Sequence, residues 1–219
     1  MSMLPTPVDE ELFNYITENF SVEDDFLKNL KEDAKLADLP SIAISPDQGR
    51  FLQVMLKSIN AKNVLEIGTL GGYSAISMAK ALPDDGTLIT VEIEFERAVF
   101  AKNQVEKAGL SHIIQIQNSK ALDFLKNYEF EHQFDFVFCD ADKSEYAKIL
   151  DLVTPHIRKG GIFAADNAFA FGFLLGTKPE RNPEDVKSML SFNQYFKNKK
   201  EYLTCIVPNG DGIIMGVKL

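Results

Sequence analysis

Along most of the chain, short apolar runs alternate with segments in which apolar residues recur every three or four positions. The apolar runs predict strands at residues 63–67, 87–92, 113–117, 134–139 and 161–165. The segments between them predict helices at residues 72–82, 95–108, 121–126 and 144–157. This alternation is typical of a parallel β-sheet with helices on both faces. We therefore expect an α/β fold.

The C-terminal part of the chain departs from this alternation. A helix is predicted at residues 182–199, and two strands, 202–207 and 213–217, then flank the sequence Pro-Asn-Gly-Asp-Gly. Two strands joined by a short turn of this kind form a hairpin. At least one strand at the end of the sheet must therefore be antiparallel.

The N-terminal part of the chain is helical and acidic. Helices are predicted at residues 8–19 and 22–37, the second with Ser21 as its N-cap. A third helix begins at Ser45, which is its expected N-cap and is followed by Pro46 at the first helical position. We interpret residues 1–219 as one domain, with an N-terminal helical segment (1–44) before the core (45–219).

The composition limits the classes of partner. The formal net charge is −9, which disfavours nucleic acid as a substrate because polyanions are repelled. No run of about 20 apolar residues predicts a membrane span, and the N-terminus lacks the pattern of a secretory signal. Cys139 and Cys205 both lie in apolar runs and are predicted to be buried thiols. We expect a cytoplasmic protein.

A glycine-rich turn follows the first core strand. Its spacing, Glu66-x-Gly68-x-x-x-Gly72, lacks the second glycine of the dinucleotide fingerprint, because Leu70 stands there. An acidic residue before the glycines suits a cationic ligand better than a pyrophosphate. Glu92, at the end of the second strand, could accept the ribose hydroxyls of an adenosine. The alternative is an ordinary turn beside an unrelated acid.

Acidic residues also follow the fourth and fifth strands. Asp140, Asp166 and Asn167 offer two carboxylates and an amide oxygen on one edge of the sheet, a donor set that suits Mg²⁺ or Ca²⁺ better than zinc. The alternative is that Asp140 or Asp142 caps the next helix. Lys143 is either an ordinary solvated lysine or, beside a metal and a helix N-terminus, a neutral amine that accepts a proton.

Several motifs, in this order, resemble the cation-dependent O-methyltransferases of the caffeoyl-CoA and catechol type. The resemblance runs from about Ser45 to the C-terminus. Its most recognisable pieces are SPDQGRFLQ, NAKNVLEIGTLGGYSAISMA, ALPDDG, FDFVFCDADKSEY, KGGIFAADN and PNGDGI. The resemblance implies a Rossmann-like, seven-stranded methyltransferase sheet whose last strand is antiparallel. It also implies a homodimer.

The resemblance further implies roles for individual residues. The S-adenosylmethionine site would be lined by Glu66, Gly68, Thr69, Gly72, Ser74, Glu92, Ala121, Asp140 and Asp142. The metal ligands would be Asp140, Asp166 and Asn167, and the catalytic residues Lys143 and Asp140. The cation would be Mg²⁺ or Ca²⁺.

The acceptor pocket departs from the plant caffeoyl-CoA enzymes. Those enzymes carry a tryptophan and an asparagine shortly after the Asp-Asn pair, whereas this chain has Ala170 and Phe171 there and no tryptophan at all. Residues 168–177 are unusually apolar, and the apolar side chains within 169–175 could clamp an aromatic ring. We expect a small catechol-like acceptor that chelates the metal through two oxygens. The alternatives are a nucleic-acid or protein methyltransferase, a nicotinamide oxidoreductase, and a non-catalytic protein that binds the cofactor.

Overall fold

The computed structural model describes residues 6–175 and 183–219. The strands are β1 (Asn63–Ile67), β2 (Thr87–Glu92), β3 (Ile114–Asn118), β4 (Phe134–Cys139), β5 (Ile157–Ala165), β6 (Tyr202–Val207) and β7 (Ile213–Lys218). The α-helices are α1 (Glu10–Phe20), α2 (Asp25–Leu36), α3 (Pro46–Ser58), α4 (Tyr73–Ala79), α5 (Phe95–Lys107), α6 (Ala121–Asn127), α7 (Tyr146–Val153) and α8 (Pro183–Lys197).

The seven strands form a single sheet in the order β3-β2-β1-β4-β5-β7-β6. The first five strands are parallel, whereas β7 runs antiparallel to both β5 and β6. The predicted α/β sheet with an antiparallel C-terminal hairpin is therefore confirmed. The chain proceeds from β1 toward one side of the sheet and later adds β4 on the other side. A crevice for ligands is expected where the strand order reverses, between β1 and β4.

Apolar side chains pack on both faces of the sheet. Along β4, Phe136 and Phe138 join one buried cluster, whereas Val137 and Cys139 join the other. This division follows from the alternation of side chains along a strand. Because both faces are covered, the central strands are rich in apolar residues, and most of their acidic residues lie at or just beyond the strand ends.

The N-terminal helices differ from the sequence prediction in their caps. The α2 helix begins at Asp25, and the side chain of Asp24 accepts a hydrogen bond from the Leu27 amide at 3.0 Å. The prediction of Ser21 as its N-cap was wrong, because residues 22–24 do not continue the helix. The predicted start of α3 is confirmed, with Ser45 as N-cap and Pro46 in the first turn.

The predicted helix at residues 144–157 is divided into three pieces. A 3₁₀ helix (Lys143–Glu145) precedes α7, and a second 3₁₀ helix (Thr154–His156) follows it. Pro155 lacks an amide hydrogen, so it cannot continue the hydrogen bonding of an α-helix interior. Strand β5 consequently starts at Ile157, which pairs with Phe134 ahead of an irregularity in the register.

The two cysteines lie in different environments. Cys139 is buried as predicted, but Cys205 is exposed, so the prediction of a second buried thiol was wrong. Cys205 lies on β6, the edge strand, and Leu203 on the same strand is also exposed. Within residues 6–175 and 183–219, no helix has both the length and the apolar character that crossing a membrane would require.

Candidate functional site

Four residues lie together at one edge of the sheet because their strands end in register. Ile67 at the end of β1 pairs with Val91 of β2 and with Cys139 of β4, and Cys139 pairs with Ala165 of β5. The residue that follows each of these positions therefore lies at the same edge. Those residues are Gly68, Glu92, Asp140 and Asp166.

The turn after β1 requires glycine. Gly68 has a φ of +103°, and a Cβ atom built there would lie 2.1 Å from the carbonyl oxygen of Asp140. Gly72, at the N-cap of α4, has a φ of +85°. The backbone of the turn thus approaches the end of β4 more closely than any side chain permits.

The carboxylate of Glu92 is anchored to this turn. One oxygen accepts a hydrogen bond from the Leu70 amide at 2.8 Å, and the other accepts one from the Glu94 amide at 2.9 Å. The side chain is only 4% exposed. The hydroxyl oxygen of Thr69, also buried, lies 2.5 Å from that of Thr90. The side chains of Glu92 and Thr90, both on β2, therefore hold the turn in place.

Glu66 is a fully buried acid beneath the turn. Burial raises its pKa to about 8, and the neighbouring hydroxyls of Ser74 and Thr90 offset this rise only in part. Its Oε2 accepts a hydrogen bond from Thr90 at 2.5 Å. Its Oε1 is shut off from solvent and makes no well-formed hydrogen bond within the described residues. A carboxylate oxygen in this position suits a cationic group of a bound ligand.

Asp140 and Asp166 are close enough to repel each other. Burial, and then the charge of Asp140, raises the pKa of Asp166 to about 7. The Lys143 ammonium donates a hydrogen bond to Asp140 Oδ1 at 2.8 Å and a second to the Tyr146 hydroxyl at 2.7 Å. Asp140 and Asp166 thus lie near each other at the ends of β4 and β5, with Lys143 on Asp140; their role as metal ligands with Asn167 stays a prediction.

Asn167 is held in an unusual conformation by the C-terminal hairpin. Its φ is +64°, and its Nδ2 donates a hydrogen bond to Asp211 Oδ2 at 3.2 Å. The same carboxylate oxygen accepts a hydrogen bond from the Phe171 amide at 2.8 Å. This contact turns the amide oxygen of Asn167 away from the hairpin.

Two residues that support the site were missed by the sequence analysis. Asp211 holds Asn167, and Gln48 donates a hydrogen bond to Asp166 at 2.9 Å. The only available signals were the motifs PNGDGI and SPDQGRFLQ, and these were interpreted as a turn and a helix start.

The oxygen donors fit a hard divalent cation. Within residues 6–175 and 183–219, no group of three or more His, Cys, Asp and Glu residues is arranged to hold a metal. Two carboxylates and an amide are nevertheless a donor set that Mg²⁺ accepts, with water completing its coordination. Burial, and then the charge of Asp140, raises the pKa of Asp166, and a cation bound there would favour its ionised form.

The remaining predicted site residues line the same edge but are less enclosed. Ser74 and Ala121 lie in the first turns of α4 and α6 and are partly exposed. Asp142 is exposed, and its carboxylate accepts hydrogen bonds from the amide and hydroxyl of Ser144, at 2.9 and 2.7 Å. Asp142 therefore caps the 3₁₀ helix that follows it, in agreement with the alternative interpretation. Contact of these three residues with a ligand stays a prediction.

The apolar segment after Asn167 packs against the C-terminal hairpin. A Cβ atom at Gly212 would lie 2.9 Å from the ring of Phe169. Ala170, Phe171 and Gly172 all have positive φ values, of 51°, 61° and 80°. The predicted ring clamp spans residues 169–175, but the side chains of 173–175, like all of 176–182, lie outside the described part of the structure.

Comparison with known proteins identifies related chains. The sequence model of a family described as O-methyltransferase matches residues 17–219, so the similarity begins well before Ser45. A catechol O-methyltransferase from Niastella koreensis is 39% identical over 168 residues, 76% of each chain. Caffeoyl-CoA O-methyltransferase 1 from Nicotiana tabacum is 31% identical over 94% of this chain and 90% of its own.

Solved structures agree with this similarity. The O-methyltransferase from Bacillus cereus, in complex with SAH (S-adenosylhomocysteine), superimposes with a TM-score of 0.85 at 28% identity. The match covers 94% of this chain and 96% of that one.

Replacing Gly68 with alanine tests the close approach of the turn to β4. We expect Gly68→Ala to destabilise the protein by several kcal/mol, because its Cβ has no room beside the Asp140 carbonyl. Gly109→Ala is the matched control, since Gly109 has a φ of +70° but nothing within 4 Å of its Cβ position. That variant should lose only about 1–2 kcal/mol of left-handed strain. Urea unfolding measures both, and equal losses would contradict the steric argument.

The buried carboxyl of Glu66 predicts a pH-dependent effect. Its folded pKa, about 8, lies above the unfolded value near 4.5, so the stability associated with its protonated form is lost as pH rises through that interval. Glu66→Gln does not titrate. We therefore expect the unfolding free energy of the variant, relative to wild type, to increase by about 1.4 kcal/mol per pH unit between pH 5 and 8. A difference that stays constant with pH in urea titrations would refute this account of Glu66.

Proposed function

The chain belongs to the O-methyltransferase family, and from that premise we propose that it methylates one hydroxyl of a catechol-like phenol with the help of a divalent cation. Methyl transfer from S-adenosylmethionine to oxygen is the activity of the family. The observation that carries the finer proposal is the meeting of Asp140, Asp166 and Asn167 with Lys143 beside the β1–α4 turn.

The β1–α4 turn would hold the methyl donor. Its glycines allow the backbone to approach the ligand, and the anchored carboxylate of Glu92 is in place to accept the ribose hydroxyls. The incompletely bonded Oε1 of Glu66 matches the positive charge of the methionine part. Thr69, Gly72, Ser74, Ala121, Asp140 and Asp142 would complete the lining of this site.

Asp140, Asp166 and Asn167 would hold the cation, with Mg²⁺ as the expected ion. A bound cation would lower the pKa of an acceptor hydroxyl, as it does for water. The three side chains also define where the acceptor oxygen must lie to face the methyl donor, because they share the edge with the β1–α4 turn. Positioning of this kind supplies much of the rate of a displacement reaction.

Lys143 is the proposed proton acceptor. Its side chain is 11% exposed and its Nζ lies 2.8 Å from Asp140, within reach of an oxygen placed at the metal ligands. A cation on Asp140 would compete for the carboxylate that now holds the ammonium group. A neutral amine at that position could take the phenolic proton as the oxygen forms its bond to carbon.

The expected acceptor is small and aromatic. The curated relatives are named for catechol and caffeoyl-CoA acceptors. The net charge of −9 disfavours the phosphates of a CoA ester and also disfavours nucleic acid. The half-buried side chains of Phe169 and Phe171 follow the metal ligands directly and offer apolar surface for a ring. These features favour a simple catechol.

A homodimer is proposed from the family resemblance. The edge strand β6 supports it, because Leu203 is 70% exposed and Ile206 is 40% exposed there. Exposed apolar side chains on an edge strand are typical of a surface that meets a partner.

Removal of metal tests the catalytic proposal. Methylation of caffeate or catechol should fall at least tenfold after thorough chelation with EDTA and recover when Mg²⁺ is added, because the hydroxyl then loses and regains its activation. Product is measured by chromatography. Turnover that survives chelation would refute the metal role. No turnover with either acceptor under any condition would favour a non-catalytic protein that binds the cofactor.

Replacement of Lys143 tests its role as a base. Lys143→Ala should lower kcat by roughly 100-fold or more while leaving cofactor affinity nearly unchanged. Lys148→Ala is the control, since Lys148 is an exposed lysine on the following helix. Steady-state kinetics and calorimetry with SAH separate the two effects. An unchanged kcat in Lys143→Ala would exclude it as the base.

A further inference from the structure

Gln48 is a buried amide that joins two distant parts of the chain. It lies in the first turn of α3 and is 5% exposed. Its Nε2 donates a hydrogen bond to Asp166 Oδ1 at 2.9 Å, across a sequence separation of 118 residues. Asp166 is a proposed metal ligand, whereas Gln48 itself has no role in the proposed reaction.

The orientation of the Gln48 amide is set by its own helix start. Its Oε1 accepts hydrogen bonds from the Ser45 amide and the Ser45 hydroxyl, both at 3.1 Å. A carbonyl oxygen held by two donors obliges the nitrogen of the same amide to face Asp166. The helix cap therefore determines which atom reaches the carboxylate.

The hairpin between β6 and β7 prevents the amide from moving away. A Cβ atom at Gly210 would lie 2.4–2.6 Å from the amide carbon, nitrogen and oxygen of Gln48, and Gly210 has a φ of +56°. The turn packs directly on the amide at a distance that only glycine allows. Gln48 is thus enclosed by α3, the end of β5 and the hairpin.

This contact limits how Asp166 can bind an ion. Because Gln48 already engages Oδ1, we expect a cation to bind Asp166 through Oδ2 alone. Mg²⁺ accepts single oxygens in an octahedron, whereas Ca²⁺ takes more ligands and often both oxygens of a carboxylate. A neutral amide also leaves the negative charge of Asp166 for the ion, in contrast to the ammonium on Asp140.

We propose that Gln48 is a positioning residue that presents Asp166 to a divalent cation through one oxygen and thereby favours Mg²⁺ over Ca²⁺. This inference rests on the proposed metal role.

Calorimetric titration of the purified protein with MgCl₂ and with CaCl₂ tests it directly. The wild-type protein should bind Mg²⁺ more tightly than Ca²⁺. Gln48→Met removes the donor at similar volume and should weaken Mg²⁺ binding roughly tenfold, the effect typical of residues that orient a metal ligand. Ca²⁺ binding should weaken less, so the preference for Mg²⁺ narrows. SAH affinity should be unchanged.

Two control variants separate this role from folding. Gln53→Met replaces another glutamine of α3, whose Nε2 donates a hydrogen bond to the Ser77 carbonyl oxygen at 2.8 Å. This variant should keep the wild-type preference for Mg²⁺ over Ca²⁺. Ser45→Ala removes the hydroxyl donor to Gln48 Oε1 but keeps the backbone amide donor, so Nε2 should still face Asp166. It should lower the melting temperature without changing the ratio of the two affinities. If Ser45→Ala changes that ratio as Gln48→Met does, the helix cap and not the amide contact is responsible.

The possible results separate failure of the Gln48 role from failure of the proposed metal role. A wild-type protein that binds neither ion would overturn both the metal role and the role of Gln48. Metal binding by wild type with an unchanged ratio in Gln48→Met would overturn the role of Gln48 alone. A wild-type preference for Ca²⁺ would also overturn it, and that result needs no variant to fold.

Discussion

The burial of several acidic side chains at one edge of the sheet is the constraint on which the rest of the structure depends. Glu66, Glu92, Asp140 and Asp166 are brought together because β1, β2, β4 and β5 end in register. Burial raises the pKa of Glu66 and, with the charge of Asp140, that of Asp166. The fold tolerates this cost because its large apolar core offsets it. The sulfonium of S-adenosylmethionine would neutralise part of that charge, and so would the proposed divalent cation.

The sequence predicted the parts of the molecule that depend on local pattern. The bounds of β1, β2, β4 and β6 agree with the predicted runs because each is a short run rich in apolar residues between turns or helices. Once the strands are parallel, the positions of Asp140 and Asp166 follow from topology alone. The sequence prediction failed where one residue pattern is compatible with two different structures. Cys205 lies in an apolar run that is an exposed edge strand, and the chain around Pro155 is helical only in short pieces.

The supporting contacts of the site could not be predicted, because they join residues that no periodicity relates. Gln48 is an ordinary capping-box glutamine in sequence, and only the packing of the hairpin against α3 shows that its amide reaches Asp166. Asp211 is a turn residue in sequence, and only the left-handed backbone of Asn167 brings the two side chains together. The hairpin turn that carries Gly210 and Asp211 lies at this edge because β6 ends there and β7, antiparallel to β5, begins there.

The most direct test of a cation at this edge is a crystal structure of the protein grown with Mn²⁺ and SAH, with anomalous scattering used to locate the ion. The account predicts one strong anomalous peak about 2.1 Å from carboxylate oxygens of Asp140 and Asp166 and from the amide oxygen of Asn167. The Lys143 ammonium, now on Asp140, should be displaced from that contact. A map with SAH bound in the β1–α4 turn but no peak among these three residues would contradict the account.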